Sequence, residues 1–171
     1  MDTGPVFLCE KTAIGDGETA IELYTRLSTL GASLLVKTLR LVAEGKIKPT
    51  AQDEKTASYA PLLKKSDGLI DWTKDAQTVK NLVRGVQPWP GAFTHWNKKL
   101  LKIHSGAAAN TIDIPTDAVP GTVVTASSGR IIVRCGKGAL EIQQLQPENK
   151  SRMSAADFLK GYRLKEGGRF E

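Results

Sequence analysis

Few residues in this chain are of a type and spacing to do covalent chemistry. Asp2 opens an Asp-Thr-Gly-Pro turn ahead of an apolar run, a place where an aspartate ordinarily bonds its own backbone. The two histidines, His95 and His104, fall in strand-like runs, where an imidazole sits on or partly within a sheet surface and can stack on a base. Cys9 and Cys135 lie far apart, each in an alternating apolar stretch, and with no Cys-x-x-Cys spacing they read as reduced core thiols. There is no Gly-rich phosphate loop followed by Lys and Ser/Thr, no His-Glu-x-x-His and no Gly-x-Ser-x-Gly. These residues by themselves assemble no catalytic constellation and no metal site.

Positive charge is the other chemical resource. The net charge of +6 is uneven: residues 1–60 carry 7 Lys/Arg against 8 Asp/Glu, whereas residues 61–171 carry 17 against 10. A basic segment is the electrostatic footprint of a nucleic-acid or other polyanion binder, and equally a surface tuned for solubility. At 171 residues, 40% hydrophobic and 25% charged, the chain has room for one domain of common size or two small ones. No window approaches 18 consecutive apolar residues, and Met1-Asp2-Thr3-Gly4-Pro5 lacks the basic and apolar regions of a signal peptide, so the expected location is cytoplasmic, with no membrane partner.

The elements that must position these residues change character at residues 87–93, Gln-Pro-Trp-Pro-Gly-Ala-Phe. Two prolines stop both a helix and a central strand there, and Trp89 between them is expected as a buried wedge at the corner. Before the corner, residues 6–11 read as a short strand, and residues 19–43 as one long amphipathic helix or two pieces bending near Gly31. That strand-then-helix order looks like the end of a larger α/β domain, because one strand and one helix cannot bury both their apolar faces alone. Residues 46–68 are polar and poorly periodic, a linker in which only residues 59–63 are expected to pack. Residues 69–72 are extended, and Thr73 is placed to cap a helix over 76–86 that buries Val79, Leu82, Val83 and Val86.

Beyond the corner the period becomes two. Runs at 92–96, 100–105, 121–126, 130–135 and 139–145 read as five short strands, joined mostly by tight turns. Five such strands point to a small antiparallel barrel of the oligonucleotide/oligosaccharide-binding (OB) kind, since closure removes exposed edges. Ser154 then caps a short helix over 155–160, and Gly161 is placed to end it. The expected class is mixed α/β and β. The domains divide as 1–45, a terminal strand and helix of an α/β domain; 46–68, a linker; and 69–171, the barrel with short flanking helices.

Several motifs go further than composition. The Asp2-Thr3-Gly4-Pro5 turn, Glu18-Thr19 before the long helix, Gln52-Asp53-Glu54, Tyr59-Ala60-Pro61 with Lys65, Ile70-Asp71-Trp72, Pro88-Trp89-Pro90-Gly91-Ala92 and the run from Met153 through Leu159 occur together and in order. In this the chain resembles the methionyl-tRNA formyltransferase family. The resemblance implies transfer of a formyl group from 10-formyltetrahydrofolate to the amino group of methionyl initiator tRNA, with a Rossmann-like catalytic domain followed by an OB-like domain that holds the tRNA.

The family's catalytic set is an asparagine, a histidine and an aspartate, and Asp2 matches the aspartate; its partners and the folate-binding loops would precede residue 1. The resemblance therefore implies an isolated chain that binds no cofactor, transfers no formyl group and lacks its N-terminal catalytic partner. Lys65 matches a lysine of the family's linker motif, and Arg163 falls in its basic C-terminal region. Phosphates need positive donors rather than a fixed sequence, so Lys98, Lys99, Lys102, Arg134, Lys137 and Arg152 join them as tRNA-binding candidates, with Lys150 and Lys160 beside them. Two other readings stay open: a free-standing nucleic-acid-binding OB-like module, and a fragment of another formyltetrahydrofolate-using enzyme, such as a sugar-nucleotide formyltransferase or formyltetrahydrofolate dehydrogenase.

Overall fold

The computed structural model describes residues 3–109, 115 and 118–171, which form two compact units, Met1–Leu62 and Leu63–Glu171. Asp2 lies outside the described residues. Among the described residues no helix is long and apolar enough to cross a membrane.

The first unit is built on α1 (Ala20–Ala43), a single unbroken helix. Thr19 and Glu22 form a reciprocal capping box: the Thr19 hydroxyl accepts from Glu22 N at 3.3 Å, and Thr19 N donates to Glu22 Oε2 at 2.8 Å. That backbone donor, then the Thr19 hydroxyl, holds the Glu22 carboxyl below the usual carboxylate range. Arg26 ties the preceding loop to the helix, donating to Glu18 Oε1 at 2.8 Å and Ala13 O at 2.7 Å. The helix buries none of its residues, and Leu35 and Leu39 are both 59% exposed. Residues 6–11 do not form the expected strand: Val6 makes an isolated bridge to Thr50, and no strand lies alongside it among the described residues to accept a ladder. Cys9 is accordingly exposed rather than in a core, a correction to its alternating pattern. Tyr59 and Leu62, expected to pack, are 90% and 92% exposed, because the segment runs extended between two short 3-10 turns with no apolar neighbour face.

The second unit carries an antiparallel sheet of six strands: β1 (Ala92–Trp96), β2 (Lys99–Ala109), β3 (Val123–Ser127), β4 (Arg130–Arg134), β5 (Ala139–Pro147) and β6 (Met153–Ser154). The order is β1-β2-β5-β4-β3, with β6 added to β5. Five of these fall on the runs of alternating residues, although β2 continues past the expected 105 to Ala109; β6, two residues long, is too short to show a period. The hairpin turns at Asn97-Lys98 and Ser128-Gly129 have positive φ at both residues, the primed turn whose twist suits a two-residue loop.

The helix α2 (Ala76–Gly85) lays Val79 and Val83 on the sheet. Its cap is Asp75, whose carboxylate accepts from Thr78 N at 2.9 Å; Thr73, the expected cap, instead donates its backbone N and hydroxyl to Asp71 Oδ1. Asp71 and Thr73 close a tight local turn first, which leaves the next acidic residue at the helix start. Helix α3 (Ala155–Gly161) is capped by Ser154 as expected and buries Phe158. Trp72 and Phe170 complete the core, and Trp72 Nε1 donates to the buried Thr94 hydroxyl at 3.0 Å.

Trp89 is not a buried wedge; it is 58% exposed. The corner is held by polar bonds instead. Gly91 N donates to Val86 O at 2.9 Å, and the Gln87 amide donates to Val83 O at 3.1 Å and His104 O at 2.7 Å. With the backbone so fixed, the indole is free to point outward. The Gln87-Pro88 and Trp89-Pro90 peptides are both cis.

Cys135 is fully buried, and burial pushes its thiol up to about 11. A thiol reagent added to the native chain at neutral pH should therefore titrate Cys9 rapidly and Cys135 only after denaturation. Two equally fast thiols would show that the sheet unit is not closed around Cys135.

Candidate nucleic-acid interface

Sheet topology sorts the cations that the sequence offered. In the antiparallel register Trp96 lies opposite Lys99, and Leu101 opposite Pro147, so the β1–β2 turn and the end of β5 share one end of the sheet. Lys98, Lys99 and Lys102 are exposed there. Met153 of β6 pairs with Leu145, and Arg152 precedes it at the same end. Lys150 joins Lys99, Trp96 and Tyr162 around a cavity of about 130 Å³. Arg163 is exposed and follows Tyr162, whose ring lies 6.2 Å from that of Trp96.

Arg134 and Lys137 go elsewhere. Both belong to the β4–β5 turn region, at the far end of β5, and the nine residues of that strand separate the two ends by about 30 Å. Lys137 is exposed, with its carbonyl accepting from Ala76 N at 2.9 Å. Arg134 is half-buried, and its Nε is buried without a hydrogen-bond partner. Lys65 is exposed in a 3-10 turn that leads into Leu69, which bridges to Phe93 on β1. Lys160 is paired with Asp157 at 2.9 Å, and Arg130, which the sequence reading did not single out, is bound two-handed by Glu141 at 2.8 and 3.0 Å. Exposed pairs of this kind are weak, but each carboxylate offsets the charge its cation offers to a polyanion.

Around the basic end the sheet also presents rings and amides. Phe93 pairs with Lys102, and Lys102 with Gln146, so these three side chains share one face. The rings of Phe93 and His95 meet edge to face, 5.8 Å apart. His104 sits at an irregularity between Ile103 and Ser105, where the ladder skips a residue. Its Nε2 is 2.9 Å from Gln146 Oε1. Because Gln146 Nε2 donates to Lys150 O at 2.7 Å, the amide oxygen faces the ring, and His104 Nε2 carries the hydrogen. Burial is the main force lowering the His104 pKa; Gln146 opposes it, and the charges of Arg152 and Lys102 add to the lowering. Alternation alone sets Lys102 and His104 on one face, but their meeting with Gln146 and Arg152 comes from pairing between distant strands.

A model of the family described as "Formyl transferase, C-terminal domain" matches residues 62–163. The chain belongs to this formyl transferase family. Proteins named methionyl-tRNA formyltransferase match it along nearly its whole length: that of Citrifermentans bemidjiense is 45% identical over 98% of the chain, and that of Solibacter usitatus 45% identical over 97%. These matches cover 51% and 52% of the two relatives, so the chain spans about half the length of the curated relatives it matches. Among solved structures, HypX from Aquifex aeolicus superposes with a TM-score of 0.65 at 20% identity, over 94% of this chain and 30% of its own. An N-formyltransferase from Helicobacter canadensis, solved with folinic acid and dTDP-3-aminofucose, gives 0.61 at 17% identity, over 83% and 50%. At these identities the likeness is one of fold. Within the formyl transferase C-terminal domain the match takes in Lys65, the whole sheet and Arg163, and it ends before the buried Leu164 and Phe170.

Proposed function

We propose that this chain is the tRNA-holding half of an enzyme that moves a formyl group from 10-formyltetrahydrofolate to the amino group of methionyl initiator tRNA in the cytoplasm. The observation that carries this reading is the 45% identity, along nearly the whole chain, to proteins bearing that enzyme's name. The gathering of Lys98, Lys99, Lys102, Lys150 and Arg152 at one end of the sheet supports it, because a phosphate backbone is held by clustered positive donors. A sugar N-formyltransferase is the weaker reading, since fold neighbours of that kind are only 17% and 19% identical.

In this reading residues 69–171 form an OB-like barrel. Gly168 O and Phe170 N bond to Val123 N and Gly121 O beside β3, while Glu171 exchanges two backbone bonds with His95 of β1. The last residues thus satisfy both strands that the ladder leaves at its ends, as a closing strand would. Residues 1–45 are the end of a Rossmann-like catalytic domain and residues 46–68 a linker, and the apolar stripe of α1 is the face that such a domain would cover.

Solved relatives hold tetrahydrofolic acid or folinic acid, and the donor here is of that class. In this reading the catalytic domain takes the folate, and this chain adds no step of its own to the formyl transfer. Its contribution is to hold the RNA.

Titration of the chain with initiator tRNA at two salt concentrations should show binding that weakens steeply with salt. Lys65→Ala and Arg163→Ala should each weaken it and lower the log–log salt slope by about 1. No binding even at low salt would remove RNA as this chain's partner.

A further inference from the structure

The outer face of the sheet at its basic end carries a row that no single strand reveals. Phe93, Lys102 and Gln146 pair across β1, β2 and β5. Met153 pairs with Leu145 and Ser154 with Gln144, so Arg152 continues the same register next to Gln146. Neighbouring strands are about 4.8 Å apart, so Lys102 and Arg152 stand about 10 Å apart at the backbone, with long side chains able to meet over Gln146. The imidazole of His104 lies between them, fixed by its hydrogen bond to Gln146. A cavity of about 200 Å³ opens beside this row, lined by Leu100, Lys102, Gln146, Pro147, Glu148 and Asn149.

We propose that Lys102, His104 and Arg152 form a seat for an RNA phosphodiester on this face, with Gln146 orienting the imidazole. The inference rests on the RNA-binding reading above and states where on the domain one phosphate sits. Lys102 and Arg152 supply the charge. His104 supplies a second role, because its Nε2 hydrogen is committed to Gln146 and Nδ1 is the position left to take up a proton.

Without a ligand, burial first and then the two neighbouring cations hold the ring below the ordinary imidazole range, with Gln146 opposing them. A phosphate laid against Lys102 and Arg152 cancels their repulsion and stabilises an imidazolium. The His104 pKa therefore rises on binding, and by linkage the affinity rises as the pH falls through the His104 range and is lost as the pH rises above it. The groups facing the ring are Lys102 from β2, Arg152 from the segment before β6 and the neutral Gln146 from β5. Glu148 lies on the lip of the cavity beside Lys102.

The chain has 2 histidines, so the ring resonances are followed directly by NMR and assigned with His95→Gln and His104→Gln. The expected result is that initiator tRNA raises the His104 titration midpoint by about one unit and that affinity rises on the order of 3–10-fold between about pH 7.5 and 5.5. His104→Gln should abolish that pH dependence, and Lys102→Ala and Arg152→Ala should each weaken binding and shrink the midpoint shift. If tRNA binds, and Lys65→Ala and Arg163→Ala weaken it, while the His104 midpoint stays fixed and Lys102→Ala and Arg152→Ala bind as the parent does, the seat is wrong and the RNA reading stands. A midpoint raised by heparin but not by tRNA would overturn the assignment to RNA. Silence toward tRNA, heparin and inorganic phosphate would sink both.

Discussion

Phe158→Ala destabilises the sheet unit by about 3–5 kcal/mol, the range for emptying a large buried aromatic site. Phe158 is fully buried. Its ring stacks on Tyr162, with centroids 4.3 Å apart and planes within 6°, and Trp96 packs against it edge to face at 5.5 Å. It is the side chain that anchors α3, because that helix is only seven residues long and has no stability of its own. Tyr162 and Trp96 are themselves only half-buried and cannot fold inward to fill the void without leaving their places over the cavity they share with Lys99 and Lys150. All three tryptophans, at positions 72, 89 and 96, lie in this unit, so urea unfolding followed by tryptophan fluorescence reports on it rather than on α1. The melting temperature should fall by more than about 12 °C, at roughly 4–8 °C per kcal/mol for a domain near this size. A loss below about 1 kcal/mol would mean that α3 is held by something other than this ring. The same variant should also lose tRNA affinity, because Arg163 follows directly on the Phe158–Tyr162 stack.

Gly136→Ala is the second large effect, with an expected cost of at least about 3 kcal/mol. A Cβ at Gly136 would stand 1.8 Å from Thr73 O and 2.7 Å from Thr73 C, and both atoms are backbone that no rotamer change can move. Gly136 N donates to both Trp72 O at 2.9 Å and Lys74 O at 2.8 Å, so the β4–β5 turn and the segment before α2 are locked together at this point. A methyl group would have to push α2 off the sheet, or drag the buried Trp72 with it. Gly136 has no positive φ, so close approach rather than backbone conformation is the reason for glycine here. Fluorescence melts should show the loss, while Gly31→Ala, in α1 with nothing within 4 Å of its added Cβ, should leave them unchanged. Equal melts for Gly136→Ala and the parent would show that the turn does not press on residues 72–74 in solution.

Where a chemical signal was local, it was readable. Thr19 with Glu22, and Ser154 with Asp157, announce their helix starts because capping bonds span only three residues. Five strands show in the sequence, most of them with one face against the core, although β4 buries Ile131, Ile132 and Val133 in succession. Local reading failed where a residue had two nearby partners to choose from. Thr73 looked like the cap of α2, but Asp71 two residues away is a better acceptor for its hydrogens, and Asp75 took the cap. Trp89 was expected inside because it is large and apolar; Gln87 reaching His104, seventeen residues on, fixed the corner with the indole outward.

The candidate interface divides in the same way. Amino-acid types and the family motifs alone determined that the second part of the chain is basic, that its strands follow a Pro-Trp-Pro corner, and that the chain is formyltransferase-like. Those properties reside in single residues or short windows. Only the tertiary structure decided which cations act together. Strand pairing carried Arg134 and Lys137 to the far end of β5 and brought Lys102, His104, Gln146 and Arg152 into one row, while the turn of α3 committed Lys160 to Asp157. The physical reason is that charge is a property of a side chain, whereas an electrostatic site is a property of distances, and those distances are set by hydrogen-bonded register between strands some forty residues apart.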